Sequence, residues 1–285
     1  MVSAPLFMRR FLPARFRARQ PLVPVVRLQG TIGMPMPLRS TLTLESVARS
    51  LETAFGFGDV AAVAIIVNSP GGSPVQSHLI MQRVRALADE KGVPVFAFAE
   101  DVAASGGYMV LLAADEIFAD SFSLVGSIGV VSAGFGFDRL IDRLGIERRV
   151  YTAGDRKMML DPFRPERPED VARLKDIQAE IHRRFIAIVK ERRGARLTGS
   201  DEELFSGAFW SAQEALDLGI IDGIGDLRSV MRQRFGENVR LPLVADRRSL
   251  FPRGLLGRAG ASALLDPVEV IAALEERAQW ERFGL

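Results

Sequence analysis

Short, unbroken apolar runs alternate with amphipathic stretches along most of this chain, and each type of run predicts an element. "PLVPVVRLQGTIG" reads as a first strand ending in a turn, and "LTLESVARSLETAFGF" spaces Leu44, Val47, Leu51 and Phe55 at helical intervals. "DVAAVAIIVNSP" is continuously apolar, as a strand covered on both faces must be. A helix follows in "GGSPVQSHLIMQRVRALADEKG", then a buried strand "VPVFAFAED" ending at Glu100-Asp101, then a small-residue helix from near Tyr108. "EIFADSFSLVGSIGVVSAGF" predicts short strands with glycine turns, and "DRLIDRLGIERRVYTAGDRK" a helix and a strand. Residues 166–193 predict a long charged helix with Leu174, Ile177, Ile181, Phe185 and Ile188 along one face. "FWSAQEALDLGIIDGIGDLRSVMRQRF" predicts two helices around a "DGIG" turn, and a final helix is expected from about Pro267 to Arg282. Strands alternating with helices in this way predict an α/β core with helical crossovers. The expected organisation is a basic tail over 1–20, a main domain over 21–236 and an extension over 237–285.

Composition narrows the picture. A chain of 285 residues that is 48% hydrophobic can bury a sizeable core. Its formal charge of +2 is too small to imply a nucleic-acid binder, and no nucleic-acid partner is expected. With no cysteine, disulfides, thiolate metal sites and a cysteine nucleophile are excluded. Runs such as "AAVAIIV" and "YMVLLAA" fall short of the ~18 residues a membrane span needs. The N-terminus is broken throughout by arginine, unlike a secretory signal, so a cytoplasmic protein is expected. Met8, Phe11, Leu12 and Phe16 interleave with those arginines, a pattern suited to peripheral contact with an anionic membrane surface, although a disordered tail is the simpler reading. Four of the 37 basic residues are lysine, which draws attention to each one, since arginine stays charged and cannot act as a base.

Two segments carry candidate chemistry. "AASGGY" places Ser105, Gly106 and Gly107 between a buried strand and a helix, where the simple reading of Ser105 is a helix cap. "NSPGGSP" repeats the arrangement, with Gly71 and Gly72 between the preceding strand and helix. Glycines at such mouths leave backbone N–H groups free and let a substrate's main chain approach. Two mouths side by side would make an oxyanion hole, with Ser105 as nucleophile. A serine needs a proton acceptor. Both histidines, His78 mid-helix and His182 among charges, read as ordinary packing or surface residues. Lys91, Lys175 and Lys190 sit in solvated settings, whereas Lys157 in "YTAGDRKMMLDPF" adjoins apolar residues whose packing would lower its pKa.

Together, "NSPGG", "AASGGY", "LVGSIGV" and "TAGDRKMMLDPF", in this order and spacing, resemble the signal peptide peptidase A (SppA/SohB-like) serine peptidases. The resemblance runs from about residue 22 to 235. It implies a Clp-protease/crotonase-like α/β fold and a Ser/Lys dyad, with Ser105 as nucleophile and Lys157 as general base. Ser127 matches a serine that hydrogen-bonds the lysine, the Gly72 N–H matches one oxyanion donor, and the second is expected at Gly106. No metal or cofactor is implied. The expected partners are peptide substrates, such as remnant signal peptides or other apolar membrane-derived segments, and further copies of the chain in a ring or dome, in which the lysine meets the serine either of its own protomer or of the next. Two other classes compete. A crotonase-like acyl-CoA enzyme would need carboxylates near the site, for which Glu100 and Asp101 are the candidates, and a catalytically silent peptide-binding scaffold would not need the dyad. Phosphate-loop and dinucleotide readings fail, because no "GK[ST]" follows the glycines and "GFGFDRL" lacks a third glycine.

Overall fold

The computed structural model describes residues 20–33, 41–244 and 277–285. The basic tail lies outside these residues, as does the expected final helix except for a helical turn at 277–281. The framework is a sheet ordered β1-β2-β3-β4-β7, formed by Val25–Gln29, Val63–Ser69, Val95–Ala104, Glu116–Ala119 and Gly223–Ile224. These five strands are parallel, and the helices α1 (Leu44–Phe55), α2 (Pro74–Lys91) and α3 (Gly106–Leu111) make the connections between the first four. The expected α/β core with helical crossovers is therefore what forms.

Side-chain alternation explains why the strands are apolar without a break. In β2, Val63, Ile65 and Val67 enter the main core with Leu51, Phe55, Ile80 and Val84 of α1 and α2. Ala64 and Ile66 point the other way, joining Val25, Phe96 and Phe98 beneath Val230 and Met231 of α8 (Leu227–Phe235). Every residue of β2 is buried, and burying one Val or Ile side chain contributes roughly 1.5–3 kcal/mol. The helix starts are equally local in origin. Thr43 and Ser46 form a reciprocal capping box on α1, while Ser73 caps α2 with Pro74 in its first turn and Gly92 ends it in the left-handed conformation.

The structure differs from the sequence expectation in three places that bear on the site. First, β3 does not stop at Glu100-Asp101 but runs on to Ala104, and α3 starts at Gly106, two residues before Tyr108. The register between β2 and β3 shifts between Val67 and Ser69, so the acidic pair sits in an irregularity rather than at a strand end. Asn68 bridges it, its side chain accepting the Val102 N–H at 3.2 Å and donating to Asp101 at 2.5 Å. Beyond it, the last residues of β3 leave β4 and pair with β5 (Leu124–Gly126), which in turn pairs antiparallel with β6 (Phe209–Ser211). Second, "DGIG" contains a short strand, β7, between α7 (Ala212–Asp217) and α8. Third, the segment leading to Lys157 holds only the six-residue helix α4 (Asp138–Arg143), and the residues after it form turns and irregular chain rather than a strand.

That segment stands apart from the core. From 131 to 167 most residues are exposed, among them Val131, Phe135, Leu140, Leu144, Ile146 and Tyr151. The chain then returns through α5 (Pro168–Arg193), whose Phe185 and Val189 enter the main core. Leu174, Ile177 and Ile181, earlier in the same apolar stripe, are only half-buried. Past residue 236 the chain remains part of the sheet, as Val23 and Val25 donate to Arg240 and Pro242 and Val244 donates back to Val25.

Candidate active site

Ser105 is the residue on which the long strand becomes a helix. It has φ 52° and ψ −118°, a left-handed conformation for a residue with a side chain, and its hydroxyl makes no capping bond to α3. The helix-cap reading therefore fails. A non-glycine residue held this way costs on the order of 1–3 kcal/mol and persists only where its surroundings over-determine it. Here they do. The Ser105 N–H donates to the Gly126 carbonyl at 2.7 Å, its carbonyl accepts the Met109 N–H at 3.0 Å, and Gly71 presses on it from the side. A side chain at Gly71 would lie 2.8 Å from the Ser105 Cβ and 2.7 Å from the Ala104 carbonyl, so only glycine fits. A strained serine on a sharp strand-to-helix turn presents its Oγ outward, the geometry of a nucleophile elbow.

The two glycine mouths meet. A Cβ at Gly106 would fall 3.4 Å from the Gly72 nitrogen and 2.2 Å from the Ser77 Oγ, which places the second mouth's backbone directly against the first. Gly72, with φ 137°, is held by Ile32, whose N–H donates to Gly71 and whose carbonyl accepts from Ser73. Among the described residues, the Gly72 and Gly106 N–H groups donate to no protein acceptor. Unpaired backbone N–H groups beside a strained serine are suited to stabilising a negative oxygen. The serines in the floor, Ser69 and Ser77, are buried and satisfied, Ser69 accepting from the Gly71 N–H and Ser77 donating to the Ser73 carbonyl.

Ser127 follows Gly126, the partner of the Ser105 N–H, so β5 brings it to the same mouth. It is buried, has φ 53°, and donates its N–H to Ala208 at 2.6 Å. Lys157 is placed differently. It is exposed on a tight turn, donating its N–H to Gly154, and no hydrogen bond links it to Ser105 or Ser127. The expected apolar burial of Lys157 is not met within one chain, because Met158 and Met159 beside it are themselves only half-buried.

The competing groups are otherwise engaged. His182 bonds the Ile128 carbonyl through Nε2 at 3.0 Å, and His78 is half-buried on α2 without a bond to Ser105. Glu100 pairs with Arg27 at 2.6 Å. Its burial pushes the carboxyl up, opposed by Arg27 and assisted by Asp101. Asp101 is spent on Asn68. Neither carboxylate is a free acid–base group at the mouth.

The sequence reading missed the C-terminal contribution. Phe283 and Trp280 pack on Val102, Ala104 and Leu124, against the residue that precedes Ser105, and Phe283 meets the Phe209 ring at 4.9 Å. The visible signal was the aromatic pair in "QWERFGL", whose partner on the far side of the domain no local pattern reveals.

Comparisons with known proteins bear on the fold and the family. Over 99% of its length the chain is 52% identical to a Brucella abortus protein named Na(+)/H(+) antiporter NhaA, and it spans 40% of that relative. Among the described residues no helix is long and apolar enough to cross a membrane, and the transport in that name is not assigned to this chain. It is 29% identical over 71% of its length to the chloroplastic serine protease SPPA of Arabidopsis thaliana, spanning 29% of it. The fold, with 17% identity and a TM-score of 0.50 over 80% of this chain and 99% of the other, matches a mutant of a membrane-bound stomatin-specific protease, which shows the Clp-protease-like α/β architecture. The model of Peptidase family S49 matches residues 88–237, more than half of the chain, a stretch that takes in Ser105, Ser127 and Lys157. By that match this chain belongs to peptidase family S49.

Proposed function

We propose that the chain is a serine endopeptidase in which Ser105 and Lys157 form the catalytic dyad. The observation that carries this reading is the strained Ser105 beside the unpaired Gly72 and Gly106 N–H groups. Ser105 Oγ attacks a peptide carbonyl while its proton passes to the neutral Lys157 amine. The resulting oxyanion is held by the two N–H groups, and Ser127 orients the lysine. The tetrahedral intermediate collapses as Lys157 returns the proton to the leaving amine, and water, deprotonated by the same lysine, hydrolyses the acyl-enzyme. Extended peptides suit a mouth built from glycine backbone, and the family resemblance favours remnant signal peptides or other apolar membrane-derived segments.

An exposed Lys157 on an apolar, exposed arm supports the further reading that the dyad is completed between copies of the chain in a ring or dome. The basic tail would then bring that assembly to an anionic membrane surface. Because the chain spans only 40% of the Brucella relative, the activity of any longer protein is part of the proposal.

Labelling with a fluorophosphonate probe tests the central claim. The protein is expected to react at one serine, and Ser105→Ala to abolish the label. An unlabelled protein would favour the acyl-CoA or scaffold readings, and a label retained in Ser105→Ala would place the nucleophile elsewhere.

A further inference from the structure

The turn that carries Lys157 is anchored at one buried carboxylate. Asp161 lies four residues on, and its side chain is 1% exposed although the surrounding arm is mostly open to solvent. It accepts a hydrogen bond from Nη1 of Arg148 and another from the Phe163 N–H at 3.1 Å, with Nε of Arg164 at 3.6 Å. Arg148 in turn lies 4.8 Å over the Phe163 ring, and Phe163 packs on Phe137 at 5.6 Å. The Phe137 N–H, at the start of α4, closes the loop by donating to the Pro162 carbonyl at 2.6 Å. One carboxylate therefore ties together the incoming segment, the outgoing segment and the start of α4.

On both sides of Lys157 the backbone is under constraint. Leu160 has φ 58°, Gly154 has φ 100°, and the Lys157 and Met159 N–H groups donate three residues back to Gly154 and Arg156. Beneath the turn is a small hollow of about 100 Å³, bordered by Asp155, Met158, Leu160, Asp161 and Asp170. Exposed ion pairs contribute little, but a nearly inaccessible carboxylate with two hydrogen-bond donors and a second arginine close by is a different case, since a buried charge persists only where it is paired and hydrogen-bonded. Burial alone would raise the Asp161 carboxyl, and the Arg148 and Phe163 hydrogen bonds with the Arg148 and Arg164 charges outweigh it, holding the group below the usual carboxylate range.

We propose that Asp161 is a positioning residue for the base: clamped by Arg148, it fixes the 154–160 turn so that the Lys157 amine is presented at one place, to Ser105 of its own or a neighbouring copy. The proposal rests on the Ser/Lys reading above. Asp161 touches neither substrate nor the reacting atoms, and its effect is wholly on where Lys157 stands. A misplacement of about 1 Å in such a group costs on the order of 100-fold in rate.

The test compares Asp161→Asn, Asp161→Glu, Lys157→Ala and the Asp161→Asn/Lys157→Ala double variant in the full chain, reading kcat and KM on a fluorogenic peptide and the rate of fluorophosphonate labelling. Asp161→Asn is expected to lower kcat roughly 10- to 100-fold with KM within about twofold, and Asp161→Glu to restore part of it. In the Lys157→Ala background the same change should cost nothing further in labelling rate, because there is no amine left to position. An equal loss in that background would mean general damage to the fold and would overturn the proposal, as would an unchanged kcat in Asp161→Asn. If Asp161→Asn does not fold, Arg148→Met breaks the pair from its exposed side and must show the same loss in kcat alone. Full activity in Lys157→Ala would remove the dyad and the clamp together, whereas an inactive Lys157→Ala beside a fully active Asp161→Asn removes the clamp only.

Discussion

Ser105 and Lys157 answer to opposite physical demands. The serine is locked, its left-handed backbone wedged between Gly71, Gly126 and Met109. The lysine is exposed on its turn. If it serves as a neutral amine, charge alone cannot replace it. Lys157→Arg is expected to be as inactive as Lys157→Ala, at least about 1,000-fold below the parent in kcat, as removal of a member of such a catalytic unit costs. Steady-state assays of the two variants decide it, and activity surviving in the arginine variant takes Lys157 out of the mechanism. The serine and its glycines could be read from the sequence because their signal is local: small residues where a strand gives way to a helix. Asp161 could not. Its partner Arg148 is thirteen residues away, in a chain where arginine is the commonest charge, and nothing in the spacing singles out that pair.

At the scale of elements, apolar runs and helical spacing were enough to give the first four parallel strands and the long α5, because each face of the sheet demands its own apolar set, whereas the two-residue β7 inside "DGIG" is too short to leave such a pattern. Position 100 is where this logic failed. An acidic pair ordinarily ends a buried strand, but Asn68 satisfies the irregularity from the neighbouring strand and lets β3 continue to Ala104, next to Ser105. The far face of that continuation is covered by Trp280 and Phe283 rather than by α8. These two aromatics are therefore expected to stabilise the end of β3. Phe283→Ala removes most of one buried ring, a loss of roughly 2 kcal/mol, which for a domain of this size lowers Tm by about 4–8 °C. A thermal melt indistinguishable from the parent would show that the contact contributes nothing.

The whole molecule shows a packed core and an arm that is largely unpartnered. The first half of α5 and the 131–167 segment together leave Leu140, Leu144, Ile146 and Tyr151 exposed. In the proposed ring or dome, a second copy covers this surface and brings one copy's Lys157 beside another's Ser105. Mixing inactive Ser105→Ala with inactive Lys157→Ala under conditions that exchange subunits tests the arrangement. Partial recovery of peptidase activity is the expected result, and mixed assemblies that form yet stay inactive would confine the dyad to one chain. The β1 edge of the sheet is partly covered. There, the strand-like stretch 240–244 pairs with residues 21–25 and so covers the start of the outer edge of β1, and an exposed strand edge is the place where foreign chains add on and fibrils start. Removing that stretch would leave the edge of the sheet as an open template, so the first symptom of its loss is expected to be cross-chain β-stacking and precipitation rather than a slower enzyme.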